Sequence, residues 1–413
     1  MSDIDRRRIL QFAGLSALSS LSGIRVAYGQ SAPAQPRLIV VMLRGAMDGL
    51  SLVAPYTEDA YYQERPTIAI ARPGTPDGLL PLTERFGLHP AFAPLLPHWE
   101  AGQLAFIHAS GSPDGTRSHF DAQDYMESAT PGRKSTPDGW LNRLAGVIAG
   151  PRATPAAQRL QAVSLGPVMP RIFAGEAAVA SLASGNAALR PSALDRPEVA
   201  QAVARLYDGD DRLSQVVREA AVTRGEIMGK LASDDPKADM GALPLNALPV
   251  DATHLGQLMA RDARIRLAFM PVGGWDTHAN QGAGKGQLAN RFGVLAQSLA
   301  ALAQSLGPRL AETSILVMSE FGRTVRQNGT LATDHGHGNV AFVLGGGVKG
   351  GRVLGEWPGL DPSARYEGRD LAITTDFRDI IAELLEERFR LADAQLARVL
   401  PAMERRKRVG LFA

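Results

Sequence analysis

Apolar and polar positions along this chain fall into blocks of differing period. Six short, mostly apolar runs stand out: Arg37–Leu43, Gln103–His108, Leu160–Leu165, Arg264–Met270, Thr313–Met318 and Val340–Leu344. Runs of that length, bounded by polar and turn residues, predict strands buried in a largely parallel sheet. Between the fourth and fifth runs, Gln287–Leu306 carries apolar residues at helical spacing, as the crossover helix of a βαβ unit does. Val340–Leu344 follows its predecessor with no helix between, so it is expected to run antiparallel and make the sheet mixed. Helices are also expected near Pro90–Trp99, up to about Ser128, and over Asp376–Glu387 and Leu391–Arg405. Residues 54–102 are proline-rich with little period and read as a surface excursion. From about Ala177 to Asp262 the pattern is mostly helical and reads as an insertion packed on the sheet. The expected fold class is α/β: a mixed, mostly parallel central sheet with helices on both faces and a helical insertion.

With 413 residues, 45% of them hydrophobic and 21% charged, the chain can bury a sizeable core. Lys and Arg number 44 against 42 Asp and Glu, a net charge of +2, and four arginines against two aspartates in residues 1–29 account for all of it. A general basic field for nucleic acid therefore has no support. The chain has no cysteine, so disulfides, thiolate ligands and a cysteine nucleophile are excluded, and any metal site must use His, Asp, Glu and hydroxyls. The first 29 residues read as an address. Arg6-Arg7 is followed after one position by two apolar residues, then by a weakly apolar stretch and the small residues Ala27 and Gly29. This resembles a twin-arginine export signal, with Asp5 where Ser or Thr is usual. The stretch is too short for a stable membrane span. The expected domains are a signal peptide over residues 1–29, a linker over 30–36 and one α/β domain over 37–413.

Candidate chemistry sits where the strand runs end, the place where open α/β sheets hold ligands. After the first run come Arg44, Gly45 and Asp48, although Asp48-Gly49 reads equally well as a turn pair. After the second come Thr116, Arg117, Ser118 and His119 at the start of a helix. A hydroxyl there is either a helix cap or, beside free backbone N–H groups, an attacking group for a phosphorus or sulfur centre. After the fourth run come Asp276 and His278, two apart in a glycine-introduced loop. The fifth ends at Glu320 and Arg323, followed by Asp334, His335 and His337. Three ligand-type side chains within four positions is dense for a solvated loop.

In this order, the segments Arg44-Gly45-Ala46-Met47-Asp48-Gly49-Leu50, Ser118-His119-Phe120, Gly274-Trp275-Asp276-Thr277-His278, Ser319-Glu320-Phe321-Gly322-Arg323-Thr324 and Asp334-His335-Gly336-His337-Gly338 are similar to those of a known family. The chain resembles the domain of unknown function 1501, of the alkaline phosphatase and sulfatase superfamily, from about Leu38 to Val399. The resemblance implies an alkaline phosphatase-like fold and one or two divalent metals, usually zinc. It implies metal ligands among Asp48, Asp276, His278, Glu320, His335 and His337, and a nucleophile at Ser118 or Thr116. Phe321 stands where the superfamily pattern has a metal-binding His. Arg44, Arg117 and Arg323 are expected to steady a substrate anion by forked hydrogen bonds. Two function classes follow. One is a metal-dependent hydrolase of small or polymer-borne phosphate or sulfate esters, delivered to the periplasm by the twin-arginine machinery. The other is a non-catalytic binding or assembly protein on the same sheet.

Overall fold

The computed structural model describes residues 35–150, 161–166, 168–182, 197–209, 211, 214, 247–401, 403 and 407–412. The leader with Arg6 and Arg7, residues 30–34 of the linker and most of the expected insertion lie outside the described residues.

Twelve strands are described. They are β1 (Arg37–Leu43), β2 (Val53–Ala54), β3 (Leu80–Pro81), β4 (Gly87–Leu88), β5 (Leu104–Gly111), β6 (Ala162–Leu165), β7 (Ala180–Leu182), β8 (Leu267–Val272), β9 (Thr313–Ser319), β10 (Asn339–Gly345), β11 (Arg352–Leu354) and β12 (Thr375–Asp376). Nine form one sheet in the order β11-β5-β10-β9-β1-β8-β6-β7, with β12 on β5, while β2, β4 and β3 form a small second sheet. Strand β1 lies at the centre, parallel to β8 on one side and β9 on the other. Only β10 breaks the direction, pairing antiparallel with both β9 and β5. The sheet is therefore mixed but mostly parallel.

Alternation along β1 explains why both sheet faces are covered. Ile39, Val41 and Leu43 enter one hydrophobic core, and Leu38, Val40 and Met42 enter the other. The first core is closed by the helices α3 (Leu248–Arg261) and α4 (Gln287–Leu306), through residues such as Leu255, Leu258, Phe292 and Leu299. The second is closed by α2 (Trp140–Ala149), α5 (Phe377–Phe389) and α6 (Asp393–Val399), through Trp140, Leu144, Ile381 and Val399. Among the described residues no helix is long and apolar enough to cross a membrane.

The expected strand runs appear within a few residues of their predicted ends. Ala180–Leu182 is a correction: it falls where helix is expected, yet it pairs parallel with β6 at the sheet edge. Three residues are too few to display a period of either kind, so hydrogen bonding to a ready-made edge decides.

The topology gathers the chemistry. Strands β5, β9, β1 and β8 all point the same way, so their carboxyl ends open at one edge. Because β10 runs the other way, the loop between β9 and β10 leaves and returns at that same edge.

Candidate metal centre

The helix α1 (His119–Ser128) starts at this edge, shortly after β5. Ser118 is its cap, its side chain accepting from the Asp121 N–H at 3.5 Å. His119 is thereby thrown toward the end of β9. There its Nδ1 meets Glu320 Oε1 at 2.8 Å. Glu320 is fully buried, and the same oxygen accepts from Gly45 N at 2.7 Å and Gln123 Nε2 at 3.0 Å. Gly45 is in the left-handed region, with φ at +114°, and a Cβ there would stand 2.6 Å from the Asp276 nitrogen. Only glycine lets the β1 and β8 loops approach this closely.

Three imidazoles and one carboxylate converge. His119 Nε2 lies 3.0 Å from His335 Nε2, and His278 Nε2 lies 3.1 Å from the same atom. Asp276 Oδ1 is 2.8 Å from His278 Nε2 and 3.1 Å from His335 Nε2, and Asp276 Oδ2 is 3.5 Å from His119 Nε2. Donors about 2.0–2.1 Å from one tetrahedral ion would stand roughly 3.3–3.4 Å apart, so the separations among His119, Asp276 and His335 fit a single small cation, with His278 close to two of them.

The other ring nitrogens say which atoms carry hydrogen. His335 Nδ1 faces the Arg117 carbonyl at 3.1 Å, an acceptor only, so that nitrogen bears the proton. His278 Nδ1 faces Asp334 Oδ1 at 3.2 Å, and His119 Nδ1 faces Glu320, which imposes the same assignment. In their neutral forms all three rings therefore aim an Nε2 lone pair at the others and at a carboxylate. The Nε2 lone pairs of His119 and His335 face each other with no N–H between them, while Arg323 Nη1 lies 3.5 Å from His278 Nε2; a cation among the rings would relieve that repulsion, and an acceptor behind each ring is how metal-binding histidines are oriented. Asp276 and His278 are 44% and 43% exposed, so the cluster opens to solvent.

Electrostatics agree. Burial opposes ionisation of Asp276, but His335 and the Arg323 guanidinium outweigh it and hold the carboxyl below its usual range. Burial likewise opposes the charge on Glu320, and His119, Gln123 and backbone N–H groups overcome it. The hydrogen bond to Glu320, against burial, raises the pKa of His119, so at low pH a second proton competes with a metal ion for its Nε2. Burial lowers that of His335, which keeps its ring neutral and able to ligate.

The structure brings Asp276, His278 and His335 together, with Glu320 behind His119 rather than facing the open cluster. Asp48 does not join them. It is buried against Arg65, with Nη1 to Oδ2 at 2.7 Å and Nη2 to Oδ1 at 3.1 Å, and Ser51 and Gln281 also donate to it. An aspartate whose two oxygens are already occupied has no lone pair directed at the cluster. His337 is a second correction. The loop lies against residues 322–324, where a Cβ on Gly336 would come within 2.4 Å of Arg323, and the His337 ring stacks on Tyr366 at 3.9 Å instead.

The three arginines expected to bind substrate are each already paired. Arg44 donates to Glu127 at 2.5 Å, and Arg117 donates to Asp370 and Glu367 at 2.8 and 2.6 Å. Arg323 is buried, donating to Asp276 at 2.6 Å and to the carbonyls of Gly45, Ala46, Trp275 and Thr333. It braces the site rather than facing a ligand. Thr116 Oγ1 accepts from Ser118 N at 3.2 Å. Phe321 stacks on His119 with ring centroids 5.0 Å apart.

The sequence reading missed His119 as a ligand. Its signal was position, one residue past the cap of the helix that follows β5. Among the described residues, His119, Asp276 and His335 have ligand atoms all within 4.8 Å of one another, and His278 Nε2 stands 2.8 and 3.1 Å from the last two.

Among curated proteins none matches this chain. Solved structures similar to it include Ps i-CgsB in complex with k-i-k-neocarrahexaose, at 9% identity and a TM-score of 0.37, covering 88% of this chain and 74% of that one. The C-terminal periplasmic domain of EcEptC from Escherichia coli, in complex with Zn, is similar at 10% identity and a TM-score of 0.35, covering 76% and 73%. Alkaline phosphatase from the Antarctic bacterium TAB5 is similar at 12% identity and a TM-score of 0.29, covering 76% and 92%. At such values the chemistry of the cluster has to be read from its own side chains. Residues 35–403 match the family model described as "Protein of unknown function (DUF1501)", and the chain belongs to that family.

Proposed function

We propose that His119, Asp276, His278 and His335 hold one divalent metal ion, zinc by its donor set, and that the protein hydrolyses a phosphate or sulfate ester there. The observation that carries this reading is the convergence of three Nε2 lone pairs on one carboxylate, each ring fixed from behind. Imidazole with carboxylate suits zinc among the common divalent ions. A cation so held supplies a Lewis acid for an ester oxygen. This chain's own groups do the rest. Glu320, Asp334 and the Arg117 carbonyl keep the three rings in one tautomer, and Arg323 holds Asp276 ionised. Ser118 is the proposed attacking hydroxyl, with Thr116 the second candidate. Its cap bond only accepts, so that bond does not engage the hydroxyl proton, and the first N–H groups of α1 favour negative charge beside it. Attack of Oγ on phosphorus or sulfur would release the alcohol, and water would then cleave the serine ester.

One observation favours the non-catalytic alternative: four protein donors can fill a zinc shell, as in structural sites. Metal analysis of purified protein, with turnover on aryl phosphates and sulfates, separates the readings. About one equivalent of metal with turnover supports the hydrolase. Metal without turnover, even after addition of zinc, manganese or calcium, supports the binding or assembly protein, and no metal defeats both.

Export by the twin-arginine route to the periplasm belongs to the same proposal, on the strength of Arg6 and Arg7 and the small residues at 27 and 29. Replacing both arginines by lysine should leave precursor in the cytoplasm.

A further inference from the structure

The loop that brings His335 to the cluster also brings His337 to a cavity of about 540 Å³. None of the four cluster residues lines it. The cavity lies beside β12, which pairs parallel with the last residues of β5, so it stands at the same edge of the sheet as the cluster. Its volume is in the range of small-molecule sites, roughly 300–1,000 Å³. The chain's own bonds fix its walls. Glu383, buried in α5, accepts from the backbone N–H groups of Val409, Gly410 and Leu411 at 2.6, 3.0 and 2.7 Å, which ties down the segment that gives the cavity Lys407, Arg408 and Val409. The His337 ring lies on Tyr366 at 3.9 Å, and Tyr366 N donates to the Asp370 carbonyl at 2.9 Å.

The hydrogen-bonding capacity left over on these walls belongs to uncharged groups. His337 is 6% exposed, and among the described residues its ring nitrogens have no hydrogen-bond partner. The hydroxyl of Thr375, a residue 9% exposed, and that of Tyr366 have none either, and none of these atoms is sealed off by protein. Burial opposes a charge on the His337 ring. A neutral imidazole and a hydroxyl can each both donate and accept. The basic groups at the cavity are already matched: Lys407 with Glu356 at 3.2 Å and Arg408 with Glu387 at 3.0 Å. Asp376 is likewise held by Arg378 at 2.6 Å, and Asp379 is buried in the same wall. Pro113, Ile373 and Val409 add apolar surface.

We propose that this cavity binds an uncharged polyhydroxylated ring, a mono- or disaccharide. Sugar hydroxyls both donate and accept, as His337, Thr375 and Tyr366 do, and the C–H groups of the ring meet the apolar part of the wall. With both cations matched, none is left to hold a free anion. The proposal stands apart from the metal reading, since no cluster residue takes part in it.

The test screens the purified protein by saturation-transfer NMR, then by calorimetry, against glucose, galactose, mannose, maltose, lactose and cellobiose. Cyclohexanol and inorganic phosphate serve as competitors. At least one sugar should bind more tightly than about 10 mM, and neither competitor at equal concentration should displace it. His337→Phe keeps a ring on Tyr366 but removes both nitrogens, and Thr375→Val replaces the hydroxyl by a methyl group. Each should weaken that sugar about tenfold, and either variant that keeps the wild-type melting temperature decides the matter. No binding by any of the six sugars would overturn the proposal. Binding equally tight in a folded variant would overturn it too, by putting the sugar elsewhere. Displacement by cyclohexanol would make the cavity an apolar site. Displacement by phosphate would put the sugar at the cluster, so that the proposal falls while the metal reading stands.

Discussion

Two sets of histidines in this molecule meet opposite fates. His89 and His108 are buried and complete. In each, Nδ1 accepts from a backbone N–H, that of Ala91 or Ala109, and Nε2 donates to a carbonyl, that of Ala283 or Val53. Burial pushes both pKa values down to about 4, so the rings stay neutral. His119, His278 and His335 have their donor satisfied and their acceptor aimed at one another. The same contrast separates two aspartates. Asp48 shares a closed network with Arg65, Ser51 and Gln281, whereas Asp276 is held by Arg323 yet left 44% open. Residue type is therefore a poor guide to function here. What marks the site is a set of Nε2 lone pairs turned toward one another, of which the protein itself meets one, that of His278, with Arg323 Nη1 at 3.5 Å.

The largest effect should come from taking one ring out of the open set. His335→Ala should reduce metal content from about one equivalent to near zero and turnover by about a thousandfold or more, with a near-native circular dichroism spectrum. Retained stoichiometry would put the metal elsewhere. The closed network should answer in stability instead. Asp48→Ala leaves Arg65 buried and uncompensated, and a loss of about 3–5 kcal/mol is expected in denaturant unfolding. Metal content per folded molecule should not change; a proportional loss of metal would return Asp48 to the ligand set. Glu320→Gln keeps a hydrogen-bond partner behind His119 but removes its charge, and metal affinity by competitive chelation should fall roughly 10–100-fold.

Acid should expose the closed histidines. On unfolding, the His89 and His108 rings take up protons near their ordinary value of 6.5, while in the fold they resist to about 4. The unfolded state therefore binds more protons between those limits, and stability should fall as pH drops through that window. Thermal melts of metal-stripped protein across that window remove the metal's own pH dependence, and a flat profile there would contradict the expectation. The smallest stability change should be that of Ser118→Ala. A cap alone is worth about 1 kcal/mol, so near-normal stability with turnover reduced by several orders of magnitude assigns the nucleophile, and retained turnover withdraws it.

Much of the sheet was legible because β1, β8 and β9 are long enough to display their composition, and because the missing helix before β10 announces its direction. Parts of the site were legible for the same reason, since Asp276, His278, Glu320 and His335 follow recognisable strand ends. The rest depends on partners distant in sequence. No local pattern shows that Arg65, emerging from a stretch that reads as a surface excursion, returns to occupy Asp48. His335 and His337 are chemically identical and two residues apart, and the path of one loop alone sends the first to the cluster and the second to Tyr366. Arg323 was legible as a cation, but its six hydrogen-bond partners lie on three different segments, so its role as a brace was not.

The central place of β1 also governs how this chain comes into being. Its seven residues are apolar on both faces apart from Arg37, and they are made well before the strands they pair with. Their two neighbours, β8 and β9, begin at Leu267 and Thr313. At about 5–20 residues per second, that strand waits roughly 10–60 s on the ribosome for its partners. Over that interval a sticky, unpaired strand edge is offered to every other nascent chain. Assembly of the sheet centre therefore has to wait until β9 has been made, and in that interval residues 37–43 are the segment that most needs shielding.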